Sequence, residues 1–291
     1  MAPRLSAKNI IERLTFALFM RNIIPNETRQ IFFSDETHLQ MGQPTIHGKY
    51  HWAKTQPDPL EISVAKCEYV SFSAFVSKCH KLPLRPLHLP RRNAAGEVMK
   101  TKCGKVKMSN AMIDSLAYIE LVLKPLKDDL TRLGLLANNK ASCIIMQDGA
   151  SSHCSRVTME YIDANFGLEN WITRAPKAYI HKVFSFWPAH TPGGNPLDFS
   201  IWNEFKRIVT QNSTNGCFSS REECIEMALA AWEQLPLSYI KKCCDEGFKN
   251  RLNRIIEAKG HTERKPKKKD GPVTPITPPN AFHFDASVQI V

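Results

Sequence analysis

Apolar positions outline the chain before any chemistry is considered. Ser6 can cap a helix whose apolar residues Ile10, Ile11, Leu14, Ala17 and Leu18 recur with a 3.6-residue period, and the helix stops before Pro25. Residues 30–34 then read as a strand with Asp35 at its end, and residues 50–53 and 69–76 as further strands. In residues 84–89 prolines favour a sheet edge, so an antiparallel meander is expected. Residues 91–107 are rich in Lys, lack periodicity and read as a loop. From 109 to 123 the pattern turns helical, with Met112, Leu116, Ile119 and Leu123 on one stripe. Pro125 kinks this helix or begins a second one reaching Leu136, and Asn138-Asn139 breaks it. Residues 142–147 form a continuous apolar run, which suits the centre of a sheet.

The second half alternates. A helix starting at Ser151 or Ser152 runs through Val157, Tyr161 and Ile162 and ends near Gly167, and residues 171–173 read as a fifth strand. Residues 174–192, punctuated by three prolines, read as a loop. Pro196 suits the first turn of a helix through Ile201, Trp202, Phe205 and Val209. Two closing helices follow. One starts at Ser219 or Ser220, with Glu222 and Glu223 offering capping boxes and Ile225, Ala228, Leu229 and Trp232 on its apolar face. The other runs from Ser238 with Ile240, Cys244, Phe248, Leu252 and Ile255 inward. Strands first, then alternation, then helices predict an α/β mixed sheet flanked by helices. Past Gly260 the chain is basic and then rich in Pro and Thr, a composition expected to stay disordered.

Composition narrows the class. At 291 residues with 43% hydrophobic content, the chain can bury a substantial core. No apolar run approaches the ~20 residues of a membrane span. The start at Met1 lacks a signal-peptide core, which predicts an intracellular protein with no membrane partner. Nine cysteines at irregular spacings, with no Cys-x-x-Cys pair, read as reduced thiols rather than a disulfide framework or zinc site. A net charge of +11 points to a polyanionic partner. Nine Lys or Arg lie between Lys78 and Lys107 against the single acid Glu97, and six more from Lys259 to Lys269 against Glu263. Within the first run Arg91, Arg92, Lys100, Lys102, Lys105 and Lys107 are the candidate contacts to that polyanion, because the run interrupts the core pattern.

Three carboxylates carry the candidate chemistry. Asp35 and Asp148 end apolar strand-like runs, and Asp198 stands where Pro196 opens a helix. Asp is common at strand ends and helix caps, so each alone is weak evidence. Together on one rim of a sheet they have the oxygen donors that hard divalent cations take. Strand alternation aims Glu36 at the face opposite Asp35, in support. His153, a helical turn past Asp148, can face a phosphate or simply pack, and Gly149 permits close backbone approach. Trp187 and Trp202 read as core or loop anchors rather than base-stacking platforms.

The flanking residues add a resemblance. Phe33-Ser34-Asp35-Glu36, Gln147-Asp148-Gly149-Ala150-Ser151-Ser152-His153 and the stretch from Trp187 to Asp198, in this order, resemble the mariner-type DDE/D transposases of the Tc/mariner superfamily. The match runs from about Ile31 to about Val209. It implies a ribonuclease H-like fold, with Asp35, Asp148 and Asp198 as catalytic ligands of Mg²⁺ (or Mn²⁺) and Glu36, His153 and Asn195 in auxiliary positions. It also implies double-stranded DNA as partner, at transposon ends and target, cut-and-paste transposition in the nucleus, and room for a homodimer. The expected organisation is a linker helix over residues 1–29, a catalytic domain over 30–258 and a basic tail over 259–291.

Departures matter too. Forty-nine residues separate Asp148 from Asp198, a wider gap than is usual for the superfamily, with the surplus near residues 176–186. Gly193 stands where relatives commonly carry Asp, and no room is left before residue 30 for the superfamily's paired helix-turn-helix modules. The competing readings are a non-enzymatic DNA-binding protein derived from such a domain and an unrelated Mg²⁺-dependent ribonuclease H-like nuclease. Retention of all three acids favours an enzyme over the first, and the order of the motifs favours a transposase over the second.

Overall fold

The computed structural model describes residues 5–41, 69–90, 97–100, 104, 108–110, 113–213 and 218–262. From the N-terminus, α1 (Ala7–Ile23) leads into the long strand β1 (Ile31–Gln40), then β2 (Tyr69–Val76) and the short β3 (Arg85–Pro86), β4 (His88–Pro90) and β5 (Met108–Asn110). A continuous rod follows: α2 (Ser115–Tyr118), a π-turn at Ile119–Leu123 and α3 (Lys124–Arg132). Next come β6 (Leu136–Ala137), β7 (Lys140–Ala141), β8 (Ile144–Met146), α4 (Ser151–Cys154), α5 (Arg156–Phe166), β9 (Trp171–Thr173) and β10 (Ser185–Phe186). A π-turn at Leu197–Ile201 runs into α6 (Trp202–Asn212), and α7 (Arg221–Gln234), α8 (Leu237–Lys242), a π-turn at Cys243–Gly247 and α9 (Phe248–Glu257) close the chain.

Six strands form one sheet in the order β10-β9-β8-β1-β2-β3. β1, β8, β9 and β10 run parallel, β2 pairs antiparallel with β1, and β3 pairs antiparallel with β2. Alternation along β1 sends Phe33 to one face and Phe32 to the other. The Phe33 face packs on α1, α6, α7 and α9 through Phe16, Met20, Trp202, Phe205, Trp232, Phe248 and Leu252. The Phe32 face packs on the α2–α3 rod and α5 through Tyr118, Leu126, Leu130, Met159 and Ile162. Helices cover both faces of a mixed sheet, as the pattern predicts. Each fully buried Phe or Leu of these layers contributes roughly 2–3 kcal/mol, so removing any of them is costly.

Local chemistry sets the boundaries. Ser6 caps α1 by accepting from Asn9 N, and Ser220 caps α7 by accepting from Glu223 N. Lys81 Nζ donates to the carbonyls of Trp232, Glu233 and Leu235, binding the C-terminal end of α7. Arg85 pairs with the buried Asp129. Two of the nine cations in the first basic run are therefore held within the fold.

Several expectations need correction. Asp35 is not at the end of its strand: β1 continues to Gln40 because β2 pairs with it through Gln40↔Tyr69. The helix expected from residue 109 starts at Ser115 with Asp114 as its cap, and Ser109 lies in β5. Leu116, assigned to the apolar stripe, is 68% exposed, while Ala117, Tyr118, Val122 and Leu126 face the core. The rod ends at Arg132 instead of reaching Leu136. Asn138 and Asn139, with φ of 50° and 58°, form the two-residue turn of the β6–β7 hairpin. Residues 174–192 are not all loop, since β10 lies within them and adds a parallel edge to β9. The helix after Asp148 is interrupted at Ser155, which caps α5 by accepting from Thr158 N. The strand expected at residues 50–53 and most of the basic tail lie outside the described residues. Gly260 is buried against α1, and a Cβ there would overlap the Ile10 carbonyl.

Candidate active site

Register places two acids side by side. β1 and β8 are parallel neighbours with Phe33 opposite Met146, so Asp35 and Asp148, each two residues further on, emerge at the same level of the sheet. β8 ends at Met146, which frees Asp148 to sit on the rim; the mouth of the site is made by the end of β8, with β1 running past it. Asn195 brings the third acid in. Its Nδ2 donates to the Ser34 carbonyl of β1 at 2.9 Å, and its Oδ1 accepts from Leu197 N at 3.1 Å. That clamp fixes the start of the π-turn carrying Asp198 against the strand carrying Asp35.

The charges differ sharply from one another. Burial raises the Asp35 carboxyl well above the usual range, and the charges of Asp198 and Glu36 raise it further. The Trp202 indole N–H, donating to Asp35 Oδ2 at 2.7 Å, opposes the rise. Asp198 reaches solvent, yet surrounding protein desolvates it enough to push its carboxyl up to about 6, the nearby charges of Asp148 and Glu36 adding to the effect and a hydrogen bond with Asp35 opposing it. Asp148 goes the other way. Burial would raise it, but His153 and the Ala150 N–H outweigh burial and hold it below the ordinary range.

His153 explains the difference. It is 2% exposed, with Nδ1 2.7 Å from Asp148 Oδ1 and Nε2 3.4 Å from Glu36 Oε1. Burial favours the neutral ring, but the two carboxylates prevail and lift its pKa to about 10. The Tyr118 ring lies 4.2 Å away between centroids and seals the pair from below. Glu36 thus occupies the face opposite Asp35, as alternation predicts, and meets Asp148 through the His153 ring between them. Trp187 and Trp202 are both buried, as anchors should be.

An open cleft lies above these acids, lined by Asp148, Gly149, Ala150, Arg174, Trp187, Ala189, His190, Thr191, Pro192 and Asp198. Arg174 was not singled out in the sequence. It follows β9 directly, and its stem lies so close to Gly149 that a Cβ there would stand 2.8 Å from Arg174 Cδ. Its position one residue past a parallel central strand was the available signal. Lys206, on α6, is likewise within electrostatic reach of Asp35. Of the candidate DNA contacts, Lys100 is exposed, and Arg91, Arg92, Lys102, Lys105 and Lys107 lie outside the described residues.

The donor set suits a hard divalent cation: three carboxylates, two of them with charged forms disfavoured by burial and mutual repulsion, which a cation would relieve. Among the described residues, no group of three or more His, Cys, Asp or Glu is already spaced as a metal cage. Asp35 accepts from Trp202 and Asp148 is engaged by His153, so ligation requires these contacts to adjust.

Neither a protein-family model nor a curated protein matches the sequence. Solved structures do. The catalytic domain of Mos1 mariner transposase superposes with a TM-score of 0.59 at 10% identity, over 91% of this chain and 100% of that one. The Mos1 paired-end complex with Mg gives 0.62 at 12% identity, and the Mos1 strand-transfer complex 0.59 at 12%. The fold is that of a mariner transposase catalytic domain. The match covers 91% of this chain in both complexes, and the chain spans only 66% and 65% of the Mos1 chains there. The mixed sheet flanked by helices, expected from the order of elements, thus takes the ribonuclease H-like arrangement that the resemblance implies.

Proposed function

We propose that this chain is the catalytic domain of a mariner-type DDE/D transposase, with Asp35, Asp148 and Asp198 as its catalytic carboxylates. The observation that carries this reading is the shared level of Asp35 and Asp148 on adjacent parallel strands, with Asp198 clamped beside them by Asn195, in a fold shared with Mos1. Solved Mos1 complexes contain transposon ends with Mg or Mn, which supports the same cations and double-stranded DNA as partners here. The paired ends of the Mos1 complexes support a homodimer here, and a DNA substrate within this reading goes with a nuclear address.

When bound, two divalent cations supply Lewis-acid activation of the attacking oxygen and stabilisation of the leaving 3′-oxygen. The chain does the rest. Asp35 and Asp148 would hold the cations from the sheet and Asp198 from the helix, with Asn195 keeping Asp198 in reach. Arg174 lines the cleft, where its charge would meet incoming phosphate. His153 fixes the Asp148 carboxylate from behind, and Gly149 leaves room for the Arg174 stem.

Incubation of the chain with supercoiled plasmid and Mn²⁺ or Mg²⁺ is expected to give weak nicking without sequence preference. Asp148→Asn keeps the shape and loses the charge, so nicking should vanish while DNA binding persists. Binding without cleavage in both metals would leave a non-enzymatic DNA-binding protein.

A further inference from the structure

We infer that Arg13, on the N-terminal helix, is a positioning residue of the acidic cleft. The inference rests on the proposed reading for what the cleft does, and on geometry for how Arg13 shapes it. Arg13 is 4% exposed. Its Nε donates to the Gly260 carbonyl at 2.9 Å, and its guanidinium also donates to the His190 carbonyl and reaches Thr191 Oγ1 at 3.5 Å. Buried guanidinium N–H groups must find acceptors, and these lie on two segments remote in sequence from α1.

The segment it grips is a wall of the cleft. Ala189, His190, Thr191 and Pro192 line it together with Asp148 and Asp198. His190 has φ of 54°, in the left-handed region that a residue with a side chain enters at a cost, so the bond to its carbonyl offsets a strain. The grip carries forward. Thr191 Oγ1 donates to the Ala189 carbonyl at 3.1 Å, Gly194 N to the Thr191 carbonyl at 2.9 Å and Asn195 N to the Pro192 carbonyl at 3.2 Å. Asn195 then holds the start of the turn that bears Asp198.

The second anchor is equally shaped. Gly260, with φ of 80°, packs so tightly on α1 that its carbonyl is presented to Arg13. Arg13 therefore joins the N-terminal helix, the end of α9 and the cleft wall at one fork. A Lys in its place has a point charge and cannot fork in the same way.

Two readouts test this on the whole chain: amide exchange of residues 187–198, and Mn²⁺ binding followed by loss of the free-ion spin-resonance signal. Arg13→Met should speed exchange in that segment while α5 (Arg156–Phe166) stays protected, and weaken Mn²⁺ binding by about tenfold or more, the scale seen when a group that orients ligands is lost. Arg13→Lys should fall between the two, and it carries the test if Arg13→Met does not fold. Unchanged exchange and affinity in both variants would overturn the inference, as would exchange raised evenly over all helices. Asp148→Asn is the reference for the site. If it binds Mn²⁺ as wild type does, the metal reading of the cleft fails, and exchange of the loop alone then upholds or overturns the role of Arg13.

Discussion

At the scale of the residue, one buried histidine governs the balance of charge. The pKa of His153 is raised above its ordinary value of 6.5, so its stabilisation is complete below that value and is lost as pH rises through about 10. Asp198 is also raised, from 3.8 to about 6, and its contribution is present at low pH and lost across that lower window. In metal-free buffer the chain should lose stability from pH 7 to 9, with a slope of at most about 1.4 kcal/mol per pH unit from one proton. His153→Gln should flatten that limb, measured by urea midpoints; identical slopes would show the histidine neutral. Trp202→Phe keeps an aromatic ring but removes the donor to Asp35, and should cost about 1–3 kcal/mol in the same assay. The three aspartates were legible because their neighbours are distinctive. Arg13 and Arg174 were not, since their partners are carbonyls and cleft walls that only the folded chain assembles.

Among the elements, the sequence was clearest where one pattern dominated. β9, at Trp171–Thr173, and the inward residues of α9 match the apolar reading. The polar Asp35, Glu36, Thr37 and His38 hid the second half of β1, because strand propensity there is overridden by pairing with β2. Leu116 misled the helix stripe by one position, since π-turns shift the face that a simple period assigns. Asn138-Asn139 marked a break correctly but not its kind. Substitution separates the two: Asn139→Gly should be tolerated, while Asn139→Val should cost about 1–2 kcal/mol of unfolding free energy, because a β-branched residue resists the left-handed conformation that the hairpin turn imposes. Equal stability of the two variants would mean that the turn can be rebuilt without positive φ.

For the whole molecule, the α/β order was readable, but the choice of the ribonuclease H-like arrangement needed the resemblance first and the superposition on Mos1 second. The positive charge of +11 belongs to this scale as well. DNA affinity should fall steeply with salt, because cations on the protein displace condensed counterions, and reversing Arg91, Arg92, Lys100 and Lys102 should weaken binding and flatten the salt slope. Loss of all binding on removing Lys259 to Lys269 alone would assign DNA contact to the tail instead. In the proposed function Asp35, Asp148 and Asp198 act together on divalent cations. Anomalous diffraction from crystals soaked in Mn²⁺ tests this most directly. The expected result is a peak between the carboxylates of Asp35 and Asp148, with Asp198 turned toward it, and no such peak in Asp148→Asn. Manganese bound elsewhere, or a cleft that stays empty, would contradict it.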